Sequence, residues 1–418
     1  MARPLSGLSR RGVLGLGAAG LLVPRFGFAE AVAGDRRRFL FVHCRGGWDT
    51  TYVFQPNFGS SIVDMEPDST ESEINGIPFV DNGARPNVAS FFQRYGQRTC
   101  VVNGIEVRSV THERCARIMM TGSAEGSTDD WGAILAGEST SRQLLPYFVL
   151  SGTAFTAKYS NRVVRVGESS QLEALTTGTA LSEATQGFPI PSEDRDALVD
   201  ALVRRRMSTA APKSAIATAA GSALDDVESL KGYANSLKIS EYAPGGCYEL
   251  ANQMAAVFDV FELGLARTAL VEYRGWCSEG WDTHANNNRQ TLHFDELFQY
   301  LALAMEDLDS RSASGGGMLA DETVIVVVSE MGRTPQLNPG NGRDHWTFTS
   351  AMLLGPGVRG GQVVGGFDDS GYGAATDFAT GEVISDGPGI TAANFGATLL
   401  ALGDVDPGAT LPVTAVLS

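Results

Sequence analysis

The run Thr323-Val324-Ile325-Val326-Val327-Val328 constrains the fold more than any other part of this chain. Its side chains are all β-branched, which favours an extended backbone, and it has no polar alternation. A strand of this kind has no face to give to water, so it belongs in the middle of a sheet covered on both sides. Four more short apolar runs read the same way: Arg38–Cys44, Thr99–Asn103, Thr268–Tyr273 and Thr349–Leu354. Between them lie helical stripes. Ala251, Met254, Phe258, Phe261 and Leu265 fall on one helix face, as do Phe294, Leu297, Leu301, Met305 and Leu308. Helix and strand in alternation predict an α/β domain, a mostly parallel sheet with helices on both faces. The end of the chain, from Thr391 to Gly403, predicts a last helix after a Gly-Pro loop.

Residues 152–245 break this pattern. They are rich in Ser, Thr and Ala, predict helices at 192–206 and 221–237, and offer few strand signals. They read as a helical insertion or cap, or as further helices of the same domain.

Residues 1–33 read as an export signal. Ser9-Arg10-Arg11-Gly12 gives a twin-arginine core, an apolar run follows to Val23, and Ala31-Val32-Ala33 gives an A-x-A cleavage site. The expected locale is therefore periplasmic or extracellular, with residues 34–418 as the mature domain. The apolar run is too short for a good membrane span, and the mature part contains no transmembrane segment. The formal charge is −16, and −19 without the four Arg and one Glu of residues 1–33. Such a balance argues against nucleic acid or anionic lipid as a general partner. The five cysteines show no C-x-x-C spacing, and their odd number leaves at least one thiol outside any intramolecular disulfide.

Three carboxylates stand just beyond apolar strands: Asp49 after Arg38–Cys44, Asp282 after Thr268–Tyr273, and Glu330 after Thr323–Ser329. In open α/β sheets, ligands bind at the carboxyl ends of the strands. Acids gathered there repel unless a cation sits among them, and a divalent metal is the usual answer. Histidines occupy matching places. His284 follows Asp282 by two residues, His345 adjoins Asp344 in a Gly-rich loop, and His112 sits next to Thr111 at an expected helix start. A mixed Asp/Glu/His set suits zinc, manganese or iron, whereas an oxygen-dominated subset suits magnesium or calcium. Each residue has a plainer alternative. Asp282 would cap a helix, Asp49 would close an Asx-type turn, Glu330 would pair with Arg333, and Thr111 would cap the next helix. His43, inside a strand, and His293, within a helix, read as structural. A short echo, Gly47-Trp48-Asp49-Thr50 and Gly280-Trp281-Asp282-Thr283, suggests one strand-to-loop geometry used twice.

The segments GGWDT, GWDTH, VVVSEMGRTP and GRDHW, in this order, resemble an exported, largely uncharacterised bacterial family within the alkaline phosphatase and sulfatase superfamily. The resemblance implies an alkaline-phosphatase-like three-layer sandwich and a divalent metal site for a small anionic phosphate or sulfate ester. It implies metal ligands at Asp49, Asp282, His284, Glu330 and His345. Thr111 or His112 would fall at the nucleophile position, and Arg343 would steady the developing charge. Two departures stand out. Glu330-Met331 replaces the Asp-His common after the central strand, and no Cys-x-Pro-x-Arg sulfatase signature is present. The implied activity is a metal-dependent ester hydrolase. The alternatives are a non-catalytic exported protein with a degenerate site, and an isomerase or transferase of phosphorylated sugars.

Overall fold

The computed structural model describes residues 34–166, 193–209, 215–233, 236 and 249–418. In chain order the elements are β1 (Arg38–Cys44), β2 (Thr70–Ile74), β3 (Ile77–Asp81), α1 (Pro86–Tyr95), β4 (Thr99–Glu106), α2 (His112–Thr121), α3 (Trp131–Gly137), β5 (Tyr147–Val149) and β6 (Val163–Arg165). Then come α4 (Glu193–Thr209), α5 (Ala215–Lys231), α6 (Glu249–Glu262), β7 (Thr268–Tyr273), α7 (Arg289–Ser310) and β8 (Thr323–Val328). The last are β9 (Gly332–Arg333), β10 (His345–Trp346), β11 (Phe348–Leu354), β12 (Gln362–Gly365) and α8 (Ala392–Leu402). The export signal expected at 1–33 lies outside the described residues, as does much of the stretch 152–245. Its first part supplies β6 to the sheet edge; α4 overlies the helix expected at 192–206, whereas α5 begins at Ala215, ahead of the start expected at 221.

Eight of these strands form one sheet in the order β12-β4-β11-β8-β1-β7-β5-β6. The β-branched run is β8, hydrogen-bonded to β1 on one side and β11 on the other. Pairing is parallel throughout except at β11, which runs against both β8 and β4. A buried apolar strand at Thr349–Leu354 is observed as expected, with its direction set by its connection. No helix crosses over between β8 and β11, so the chain returns along the same edge, antiparallel.

The pleat sorts the core into two layers. Leu40, Val42, Ile325 and Val327 face one cluster, with α1, α6 and α7; Phe39, Phe41, Val324 and Val326 face the other, with α2, α3 and α8. The chain is therefore an α/β three-layer sandwich with a mostly parallel sheet. Cys44, Cys100 and Cys115 are free, buried thiols, and Cys277 is disulfide-bonded.

One contact shows how closely the second layer packs. Gly396 lies inside α8, and a Cβ built there would come within 1.9 Å of the Trp131 ring. That ring is fixed by its Nε1–H, which donates to Met119 O at 3.0 Å. Alanine in a helix interior normally stabilises by about 1 kcal/mol over glycine. Here the sign reverses: Gly396→Ala is expected to destabilise by about 2 kcal/mol through overpacking, read as a lower urea midpoint at unchanged m-value.

Candidate metal centre

The carboxyl ends of β1, β4, β7 and β8 lie on one edge of the sheet, and the antiparallel β11 starts there. The loops that follow or precede these ends carry the candidate residues. The loop after β1 turns through Gly46 (φ +130°) and Gly47 (φ +81°), a backbone that side chains rarely adopt. A Cβ at Gly46 would also strike the backbone nitrogens of Trp281 and Asp282 at 2.7–2.8 Å. The two loops thus pack backbone to backbone.

The sequence echo has a physical basis in this packing. Trp48 and Trp281 are both fully buried and meet edge to face, with ring centroids 6.3 Å apart. Each anchors the aspartate that follows it, but the two acids then diverge. Asp49 is fully buried, caps a short 3-10 turn by accepting from Thr51 N (3.0 Å), and accepts from Asn287 Nδ2 (2.6 Å). Its Oδ2 lies 2.9 Å from Arg343 Nε. Asp282 remains 44% exposed and faces the histidines.

Three imidazoles converge on Asp282. Each has its Nδ1 on an atom that can only accept, which fixes Nδ1 as a donor. His345 Nδ1 donates to Val110 O (2.6 Å), His284 Nδ1 to Asp344 Oδ1 (2.9 Å), and His112 Nδ1 to Glu330 Oε1 (2.8 Å). All three Nε2 atoms therefore point into the same space. His345 Nε2 and His284 Nε2 each lie 3.2 Å from Asp282 Oδ1, and His112 Nε2 lies 3.3 Å from Oδ2. The His345 and His284 Nε2 atoms are only 3.0 Å apart. His112, Asp282 and His345 can offer ligand atoms that all lie within 4.8 Å of one another. His112 Nε2 is buried without a hydrogen-bond partner. Nitrogens this close, with their other nitrogens already donating, need a cation between them, either a proton or a metal. The electrostatics agree. Asp282, close beside its Nε2, and then Glu330 push the His112 pKa up to about 9. Burial disfavours charge on Asp282, yet the nearby His112 and Arg333 hold the carboxyl well below the usual range.

The remaining candidates take other places. Glu330, fully buried, accepts from Gly46 N (2.9 Å) and lies behind His112, with its Oε2 3.3 Å from His43 Nε2. It orients an imidazole that faces the cluster. Burial opposes its charge, but His112 and His43 hold its carboxyl well below the usual range. Its expected alternative partner, Arg333, binds elsewhere: Nη2 donates to Asp282 Oδ1 (2.7 Å) and Nε to Gly47 O (2.8 Å). Arg333 is the residue that sequence reasoning undervalued; a lone arginine after a strand gives no signal that it staples three loops. Arg343 corrects an expectation. Its guanidinium is buried against Asp49 and donates to the carbonyls of Thr334, Pro335 and Asp64, so no face is left for a substrate oxyanion. Thr111 stands at the N-cap of α2 without using its side chain as a cap, and its exposed hydroxyl lies 3.2 Å from Ser109 Oγ.

The fold and this edge define an α/β protein with a candidate His/Asp cation centre among its strand-end loops. The chain belongs to DUF1501, a family of proteins of unknown function, whose model matches residues 36–384. No curated protein is similar to it at a significant level. Three solved structures show how far likeness extends. The soluble domain of lipooligosaccharide phosphoethanolamine transferase A from Neisseria meningitidis is 11% identical, with 93% of this chain and 94% of that one covered and a TM-score of 0.41. The lipoteichoic acid synthase LtaP from Listeria monocytogenes is 10% identical over 92% and 75%, with a TM-score of 0.39. The PsFucS1 sulfatase from Pseudoalteromonas sp. is 10% identical over 91% and 70%, with a TM-score of 0.37.

The loop that carries Asp282 has its own pH-sensitive anchor. His293, fully buried on α7, accepts from Trp276 N through Nδ1 (2.8 Å) and packs on Trp281 with centroids 5.0 Å apart. Burial lowers its pKa from 6.5 to about 4. The unfolded chain takes up this proton as pH falls through 6.5, and the folded chain does so only near 4. Stability is therefore expected to drop across that window by on the order of 3 kcal/mol. Urea unfolding at pH 7 and pH 4.5 checks this: His293→Gln, which keeps an acceptor but does not titrate, is expected to show the smaller acid loss.

Proposed function

We propose that this chain is an exported, metal-dependent hydrolase of phosphate or sulfate esters. The observation that carries the reading is the convergence of three Nε2 atoms on Asp282, each imidazole fixed by an oxygen acceptor on its far side. Imidazoles held in this way are the usual arrangement of metal-binding histidines. His112, His345 and Asp282 would hold the metal, with His284 beside them. This nitrogen-rich set fits zinc or manganese better than magnesium or calcium. A divalent metal here would polarise the ester oxygen and favour ionisation of a hydroxyl or water. The motif order in the sequence and the Arg-Arg leader support the superfamily chemistry and the export route.

The residues of the chain supply the rest. His345, through Val110 O, and Glu330, through His112, pin the segment on either side of Thr111. Thr111, whose hydroxyl is not used to cap the helix, would be the nucleophile. A second reading, a metal-holding protein without turnover, is favoured by one observation: Thr111 Oγ1 contacts the hydroxyl of Ser109 and no base.

Elemental analysis of protein purified without chelator is expected to find about one divalent metal per chain, lost in His345→Ala. The metal-loaded protein is expected to turn over aryl phosphate or aryl sulfate. Thr111→Ala should lose at least about a hundredfold in turnover while keeping its metal. No metal in the wild type overturns the centre. Stoichiometric metal with no turnover on either ester selects the second reading.

Glu330→Leu separates positioning from ligation. Leucine gives His112 Nδ1–H no acceptor, so the imidazole loses the bond that fixes its tautomer and orientation. Metal affinity, read by chelator competition, is expected to fall about 10- to 100-fold while stoichiometry at saturation is kept.

A further inference from the structure

A cavity of about 460 Å³, a size typical of small-molecule sites, lies beside the loop that carries His284. Its walls are residues 64–67 ahead of β2, 286–288 ahead of α7, and 337–343 ahead of β10. The last two walls are joined by backbone: Ala285 bridges to Asn341, and Asn287 N donates to Asn341 O (2.9 Å). Neither Asp282 nor any of the three clustered histidines lines the cavity. It is a neighbour of the histidine cluster built from other residues.

The ionic groups of the cavity are largely spent. Arg343 is held by Asp49 and donates to three carbonyls. Glu66 accepts through Oε1 from Thr291 Oγ1 (2.9 Å) and through Oε2 from Arg85. Asp64 accepts through Oδ2 from Leu337 N (2.8 Å), which leaves Oδ1 without a bond among the described residues. The carboxamides are in a different state. Four asparagines line the cavity, and only the buried Asn287 is fully engaged, with Asp49 and Thr283. Asn286 and Asn341 are exposed, and neither side chain has a hydrogen-bond partner among the described residues. Asn288 Oδ1 takes the Tyr52 hydroxyl at 3.4 Å, and its Nδ2 is without a partner in the same sense. Asn286 (φ +57°) and Asn341 (φ +55°) adopt the left-handed backbone, which asparagine tolerates better than most residues. That accounts for asparagine or glycine at each position separately. It does not account for three carboxamides with unspent groups around one cavity, facing a wall that includes Met65, Pro67 and the 44% exposed Leu337.

We infer that this cavity binds a neutral, polyhydroxylated ring, that is, a sugar. A carboxamide sets a donor beside an acceptor, which matches two neighbouring hydroxyls, each able to do both. Asp64 Oδ1 adds an acceptor, and Met65, Pro67 and Leu337 offer apolar surface to the C–H face of a ring. The same inventory disfavours an anion. The one guanidinium in the lining is spent, and the carboxylate with an unbonded oxygen repels negative charge. The inference does not rest on the proposed catalytic function.

Saturation-transfer NMR and titration calorimetry on the full chain test it, with the methyl glycosides of glucose, galactose, mannose, xylose and N-acetylglucosamine as probes. At least one is expected to bind with a Kd on the order of 1 mM or below. Asn286→Gly/Asn341→Gly removes both amides and keeps the left-handed backbone. It should weaken that binding at least about tenfold at an unchanged urea midpoint. His345→Ala, which alters only the histidine cluster, is expected to bind the glycoside as the wild type does. No saturation transfer to any of the probes at about 10 mM overturns the site, as does equal affinity in the double variant. Binding lost in His345→Ala places the sugar at the histidine cluster and overturns it as well.

Discussion

A single buried guanidinium, that of Arg333, ties the candidate centre together. It donates to the carbonyls of Gly46 and Gly47 in the loop after β1, to Trp281 O and Asp282 Oδ1 after β7, and to Arg343 O ahead of β10. Carbonyl groups at strand ends would otherwise need water, and a buried cation would otherwise lack partners. Each satisfies the other only when the loops occupy one arrangement. The Trp48–Trp281 contact supplies the apolar floor beneath that arrangement, and Gly46 allows the loops to approach closely enough.

With the loops fixed, charge is distributed in tiers. Glu330 is buried behind His112, and Asp344 stands behind His284. Asp49 and Arg343 neutralise one another to the side. Asp282 faces the three Nε2 atoms with part of its surface open to solvent. A metal held at Asp282 would take the place of the proton that His112 otherwise carries, and would meet oriented imidazole nitrogens and one carboxylate rather than a crowd of acids, a set suited to a borderline metal.

Much of this was legible in the chain. The β-branched run of β8 and the stripes of α6 and α7 gave a sandwich with helices on both faces, because strand and helix periodicities survive in any sequence that buries them. Asp282, His284 and His345 were legible as a group because loops after strand ends converge in open α/β sheets. His112 was visible as one of three loop histidines and as a candidate for the nucleophile position, but its place among the Nε2 atoms depends on where α2 starts relative to β7. Nothing in the spacing of Gly-Trp-Asp-Thr shows which copy of the motif turns its aspartate toward the cluster.

The sequence by itself determined the layers, the strand-end position of the acids and histidines, and the acidic character of the whole, since each depends on local pattern or on composition. Tertiary structure decided that β11 runs antiparallel, that Arg333 pairs with Asp282 rather than Glu330, that Arg343 is spent on Asp49 and backbone carbonyls, and that Glu330 supports an imidazole from behind. The last three turn on hydrogen-bond geometry between residues distant in the chain, 51 positions for Arg333 and Asp282 and 218 for His112 and Glu330. Shifts of an ångström or two decide which acid is buried and which is left to face solvent.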